Sequence, residues 1–244
     1  MKRIMGVAII AALTLLLLAS CGAGQNPNTI YILGPTPDHG WTAQAGSYAQ
    51  RKADEVNSGG KYKAAYLSAS TGEEQVEQVQ TIIANGDAAG VVFFAQSDSA
   101  KAGQEALIEQ DIPFISFDRI IDGPDQHAIL NASGDNWQSG AAVAYWLQQK
   151  GLLPGDTMVT LAGDDGTVTS RRQEGFEQFL TGDLSYHDKH TGQTYQTDRI
   201  WTQAEIDALC ADHRAVCNWS ADGARDYLET AFADIITDAK NGNG

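Results

Sequence analysis

The chain has 244 residues, 31 acidic side chains against 16 basic ones, and a net charge of −15 at pH 7. That charge repels a phosphate backbone, which excludes nucleic acid as a natural partner. The length left after a leader suits one large domain or two small lobes with real cores.

At the amino terminus Lys2 and Arg3 precede an uncharged stretch from Gly6 to Ala19 rich in Leu, Ile and Ala, the charged start and apolar middle of a secretory signal. The apolar part is shorter than the roughly 18 residues of a membrane-spanning helix. Leu18-Ala19-Ser20-Cys21 follows and resembles the lipobox of bacterial lipoproteins. The resemblance implies a signal peptide over residues 1–20, a diacylglyceryl thioether on Cys21 and an anchor linker over 21–28. An ordinary signal peptide with an incidental cysteine is the alternative. With Cys21 lipidated, Cys210 and Cys217 are the remaining thiols. In an oxidising compartment they form a candidate disulfide pair; two unpaired buried cysteines fit equally, because sequence gives no distance between them.

From Thr29 onward, strand-length apolar runs alternate with helical patterns. TIYILG (29–34) is followed by WTAQAGSYAQRKADEV, where Ala45, Tyr48, Ala49 and Ala53 fall at helical spacing. YKAAYLSA (62–69) precedes TGEEQVEQVQTIIANG, with Thr71 as the expected N-cap, Glu74 three residues on and Gly86 as the stop. GVVFFA (90–95) leads into SAKAGQEALIEQ, and the strand PFISFD (113–118) comes next. This succession predicts a parallel sheet covered by helices on both faces.

The pattern then changes. HAILNASG (127–134) reads as a strand and NWQSGAAVAYWLQQKG (136–151) as an apolar helix ending in glycine, with 122–136 as a crossing between lobes. DTMVTLAG (156–163) opens a second α/β unit, followed by the helix SRRQEGFEQFL (170–180). Thr181 to Asp198 is polar and aperiodic, which predicts a long surface loop. A helix over 203–213, a short strand ending near Trp219 and one helix from Asp222 to Lys240 complete the prediction. The expected division is a first lobe over 29–135 and a partial second lobe over 136–244. A second lobe of two or three strands leaves a sheet edge bare, so the sequence is expected to be the front part of a longer protein.

Asp118 and Arg119 close an apolar run. In open parallel sheets ligands sit beyond the carboxyl ends of the strands, which puts this pair at a cleft. A polyol hydroxyl is both donor and acceptor, so an acceptor-only carboxylate beside a donor-only guanidinium suits it. A structural ion pair is the alternative. Trp41 and Trp219 offer flat apolar faces to a sugar ring, or else are staples for their own helices. A cation at Arg172, read as the first turn of its helix, gains nothing from the helix dipole and suggests a functional role. Asp38 and His39 are candidate hydrogen-bonding residues; Asn136 is another, or a helix N-cap. His187, Asp188 and His190 sit in the polar tract and read as solvated residues, with no metal and no cofactor expected.

Taken in order, YILGPTPDHGW, ISFDR, ASGDN, SRRQEGF and CNWSADGA resemble the type I periplasmic sugar-binding proteins, the ribose-binding-protein-like receptors of ABC importers. The match runs from about Thr29 to Leu180 and resumes from about Val216. It implies two doubly wound parallel-sheet lobes joined by a hinge, here with an incomplete second lobe. It implies ligand binding by the Asp118–Arg119 pair, aromatic contacts at Trp41 and Trp219, and a ligand-binding arginine four residues before the Phe of the GF pair, which is Arg172. The segment between Leu180 and Trp219 is longer than the family pattern, and the later second-lobe strands and final crossings are missing from it.

The resemblance further implies a monomeric, non-enzymatic protein of the cell envelope. It would capture a monosaccharide or related polyol by lobe closure, deliver it to ABC permease subunits, and touch the membrane through its lipid anchor. An enzyme finds no nucleophile elbow, P-loop or His-Glu-x-x-His helix in the sequence. A sugar-responsive repressor lacks its helix-turn-helix. A sensor presenting a sugar or autoinducer-type ligand to a receptor kinase or chemoreceptor would use the same lobes and stands as the alternative.

Overall fold

The computed structural model describes residues 27–38, 40–210 and 213–241. The signal peptide, Cys21, His39 and the side chain of Cys210 lie outside the described residues.

The first lobe is one five-stranded sheet, ordered β2-β1-β3-β4-β5, from β1 (Thr29–Pro35), β2 (Lys63–Ala69), β3 (Ala88–Phe93), β4 (Phe114–Phe117) and β5 (Leu130–Ala132). Every pairing is parallel. Helices α1 (Gly40–Gly59), α2 (Gly72–Asn85) and α3 (Lys101–Glu109) supply the crossovers. Alternation along β2 divides the two faces: Ala65 and Leu67 join the core with Val79 and Ile82 of α2 and Leu107 of α3, while Tyr66 turns its hydroxyl toward Gly46 of α1. Leu33, Phe93 and Phe114 fill the middle of that core.

Local signals account for α2. The Thr71 hydroxyl accepts from the Glu74 N–H at 3.1 Å, and Glu74 reaches back to the Ser70 N–H at 2.7 Å. Gly86 ends the helix in the left-handed region, φ 68°. Such a cap contributes about 1 kcal/mol. In α1 the buried face is Gly46 and Ala53. Tyr48, expected inside, is exposed and carries the Arg51 guanidinium 4.4 Å above its ring.

The second lobe is built on α4 (Asn136–Gln149) and α5 (Thr167–Thr181), which pack along their length. Ala141, Ala144, Phe176, Phe179 and Leu180 form their shared core with Trp201, Ile206 and Leu209, the last two from α6 (Gln203–Cys210). Its parallel sheet, among the described residues, has two strands, β6 (Thr160–Ala162) and β9 (Arg214–Val216). This lobe is partial beside the first.

Three expectations change here. The polar tract after Thr181 carries an antiparallel hairpin, β7 (Tyr186–His187) and β8 (Thr194–Tyr195). Tyr195 stacks on Tyr145 of α4 at 4.3 Å, and Gln138 of α4 bonds the backbone of Ser185 and His187. Asp188 accepts from the amides of His190 and Thr191 in its turn. The expected helix from 222 to 240 is two helices, α7 (Ala221–Glu229) and α8 (Ala233–Lys240). The break lets Phe232 turn inward, where it is buried beside Tyr227 and His213. Finally, α5 begins at Thr167, so Arg172 stands in its second turn, and the first-turn dipole argument does not apply.

Candidate functional site

Strand β4 delivers the central pair. After Phe117 the backbone of Asp118 adopts φ 62°, a region that aspartate tolerates better than most residues, and its N–H is tied to Ala132 O at 2.8 Å. That turn sends the two neighbouring side chains in different directions. Arg119 goes inward and is 5% exposed. Its Nη1 lies 3.2 Å from Asp98 Oδ1, beyond β3, and its Nη2 lies 2.6 Å from Asp164 Oδ2, beyond β6. One guanidinium therefore joins carboxylates from both lobes.

Asp118 faces the other groups. Its carboxyl is hydrogen-bonded by the Trp41 side chain and feels the charges of Arg119 and Arg172. Burial pushes its pKa above the usual carboxylate range, and the Arg119 charge, the Trp41 bond and the Arg172 charge offset this only in part. Trp41, at the start of α1, is 54% exposed with its ring 6.2 Å from Phe117, which in turn meets Phe94 edge-on at 5.4 Å.

From the second lobe, Arg172 stacks over Trp219 at 5.4 Å and donates from Nε to Asn136 Oδ1 at 3.0 Å. Asn136 is not the N-cap of α4. That role belongs to Asp135, whose carboxylate accepts from the Gln138 N–H at 3.1 Å, which leaves the Asn136 amide for Arg172. Trp219 is in the left-handed region at φ 57°, uncommon for a bulky side chain, and its N–H is held by Gly163 O at 3.1 Å. A Cβ on Gly163 would overlap the indole, so this glycine lets the ring lie flat on the backbone.

Trp41, Asp118, Arg119, Arg172, Trp219 and Asn136 thus form one connected cluster. Asp38 is exposed and accepts from Thr42 at the start of α1 at 3.3 Å. Cys217 is a buried free thiol with its Sγ 3.8 Å from Ala215 O. A cavity of about 680 Å³ adjoins the cluster on the second-lobe side, where Arg172, Trp219, Gly163 and Phe176 line it. Trp41, Asp118 and Arg119 do not line that cavity.

Sequence reasoning missed Asp98, Asp164 and Thr167. Asp98 accepts from the Thr167 N–H at 2.9 Å, and Asp164 accepts from the Gly166 N–H at 3.0 Å and the Thr169 hydroxyl at 3.1 Å. Burial opposes ionisation of Asp164, yet hydrogen bonds from Trp219, Arg119 and Gly166 and the Arg119 charge bring its pKa below the ordinary value. A strand followed by a short polar turn, as in LAGDD, is the one signal that could have raised it. Among the described residues no group of three or more His, Cys, Asp or Glu is placed to hold a metal ion.

Two α/β lobes meeting over a mixed layer of aromatic rings, guanidiniums and carboxylates define a binding protein of the type I periplasmic architecture. The chain belongs to the periplasmic binding protein domain family, whose model matches residues 30–237. That family implies an extracytoplasmic location.

Solved structures agree on the fold. A myo-inositol binding protein from Caulobacter, bound to myo-inositol, superposes with a TM-score of 0.62 at 16% identity, covering 87% of this chain and 63% of its own. The arabinose ABC transporter component from Shewanella sp. ANA-3, bound to α- and β-L-arabinofuranose, gives 0.63 at 17% identity, covering 88% and 61%. A carbohydrate transporter solute binding protein from Chloroflexus aurantiacus with D-glucose gives 0.60 at 19% identity, covering 84% and 60%. The chain therefore spans less than two thirds of the length of each. No curated protein sequence matched the chain.

Proposed function

We propose that the protein is an extracytoplasmic solute-binding protein that captures a monosaccharide or related polyol between its lobes, without chemical turnover, and delivers it to an ABC permease. One observation carries this reading. Asp118 stands at the carboxyl end of β4 within reach of Trp41, Arg119 and Arg172. A carboxylate bonded by the indole N–H edge and neighboured by two guanidiniums offers acceptors and donors beside the apolar Trp41 ring, the combination that a ring bearing hydroxyls requires. The proteins of the same fold bound to inositol, arabinofuranose and glucose support it. Closure would bring the Arg172–Trp219 wall onto the Trp41–Asp118 wall, so the ligand favours the closed state by touching both. The thioether at Cys21 would hold the protein at the membrane.

Calorimetric titration of the protein with myo-inositol, L-arabinose, D-glucose, D-ribose and D-galactose tests the reading. Saturable heat with at least one of them, lost in Asp118→Asn, is expected. Identical heats from wild type and Asp118→Asn would remove that carboxylate from the site, and no saturable heat across the panel would overturn the assignment to simple sugars.

A further inference from the structure

The turn that follows β3 serves the site twice. Phe94 sets its ring edge-on against Phe117, itself 6.2 Å from the Trp41 ring, and Asp98 reaches the Arg119 guanidinium. Strand β3 ends at Phe93, so the Phe94 carbonyl and the Gln96 N–H beyond it need partners of their own. Gln75 of α2 provides both. Its side chain is fully buried; Nε2 donates to the Phe94 carbonyl at 2.9 Å, and Oε1 accepts from the Gln96 N–H at 2.8 Å. A carboxamide carries a donor and an acceptor side by side, as a peptide group does, so one side chain closes both bonds. The same end of α2 grips the turn elsewhere. Glu73 is hydrogen-bonded by the Ser99 side chain, and a Cβ on Gly72 would come within 2.6 Å of the Ala100 nitrogen.

We infer that Gln75 is a positioning residue for the ligand wall: its amide fixes the turn after β3, which holds Phe94 against Phe117 and Asp98 on Arg119. Without that amide a buried carbonyl and a backbone N–H lose their partners, and the turn has to rearrange to satisfy them. Phe117 then loses the ring that backs it on the side away from Trp41, and Arg119 loses its first-lobe carboxylate. Gln75 acts on ligand only through these side chains. The inference rests on the proposed binding of a sugar at Asp118 and its neighbours.

The test is Gln75→Glu in the whole chain, titrated with the sugar of the panel that binds wild type. An ionised carboxylate accepts from the Gln96 N–H but has no hydrogen for the Phe94 carbonyl; a protonated one has both, as the amide does. Burial favours the protonated form. At mildly alkaline pH the variant should bind about tenfold more weakly than wild type, and the ratio of the two affinities should close as pH is lowered. Gln75→Met has no donor in any state and should show the loss without the recovery. Urea midpoints taken in the same buffers isolate a merely structural role: stability would then recover on acidification while folded variant and wild type bound equally at every pH, and that result overturns the inference. The Phe94–Phe117 ring contact gives a readout that needs no ligand. Its nuclear Overhauser effect should be present in wild type and weakened in Gln75→Met, and an unchanged effect also overturns the inference. A panel in which no sugar binds wild type overturns the sugar reading alone and leaves the ring contact to decide the role of Gln75.

Discussion

Arg172 rests its guanidinium 5.4 Å above the Trp219 ring and is steered there by Asn136, whose side-chain oxygen takes the Nε–H at 3.0 Å. The stack needs a planar cation and the hydrogen bond needs a nitrogen within the chain, and lysine supplies neither. Arg172→Lys is therefore expected to weaken binding of the sugar found by titration by about 1–2 kcal/mol, roughly tenfold. Asn136→Ala should give part of that loss through a misplaced guanidinium. The two effects should be less than additive, and a double-mutant cycle by calorimetry reads the coupling. Full additivity would separate Asn136 from the action of Arg172.

Asp118 and Asp164 shift in opposite directions, which fixes the sign of two pH effects. Burial raises the Asp118 pKa. Affinity that depends on its carboxylate should fall as pH is lowered from neutral, beginning above the ordinary carboxylate range. Asp164 is lowered on balance: burial opposes ionisation, but the Trp219 and Arg119 interactions outweigh it. Its contribution to stability is present above the unfolded-state value and is lost as pH falls through the lower folded value. Asp118 works the other way, because protonation relieves its burial. On acidification, ligand affinity should decline before the Asp164 contribution to stability does. Titration calorimetry and thermal melts across the same buffers check the order, and a simultaneous decline would contradict it.

Much of the first lobe was legible because its signals are local. Thr71, Glu74 and Gly86 mark the ends of the 14-residue α2 from its own immediate sequence, and β1 to β4 stand out as apolar runs between helical patterns. Trp41, Asp118, Arg119, Arg172 and Trp219 came from the motif order. Asp98 and Asp164 could not be found the same way, because their partner Arg119 lies 21 and 45 residues distant and only folding brings them together. The hairpin after α5 was hidden for a related reason. Its strands are two residues each, too short for any periodicity, and they are held by Tyr145 from another element. Phe232 broke a helix that its local sequence would have continued.

The proposed membrane anchor rests on the sequence Leu18-Ala19-Ser20-Cys21 and is open to direct test. Cys21→Ser removes the sulfur that would carry the diacylglyceryl group. One acyl pair is the attachment proposed, so the variant should move from the membrane pellet to the soluble fraction on fractionation, and labelling with a fatty-acid analogue should vanish. Continued sedimentation of the variant with membranes would end the lipobox reading.

The crossing of α4 and α5 fixes the wall that carries Asn136 and Arg172. It is made close by two glycines: a Cβ on Gly140 would run into the Arg172 carbonyl, and one on Gly175 would run into the Trp137 carbonyl. Both obstacles are backbone, which cannot swing aside as a flexible side chain would. Ala at either position therefore has to push the helices apart, opening voids around Phe176 and Ala144 in the core they share. A cost of about 1–3 kcal/mol or more is expected for Gly140→Ala and Gly175→Ala in urea denaturation. Gly59→Ala is the contrast. It ends α1 with nothing within 4 Å of the added methyl and should be neutral or stabilise by up to about 1 kcal/mol. Equal midpoints for all three variants would mean that the two helices do not approach as closely as their glycines allow, and that the Asn136–Arg172 wall is set by something else.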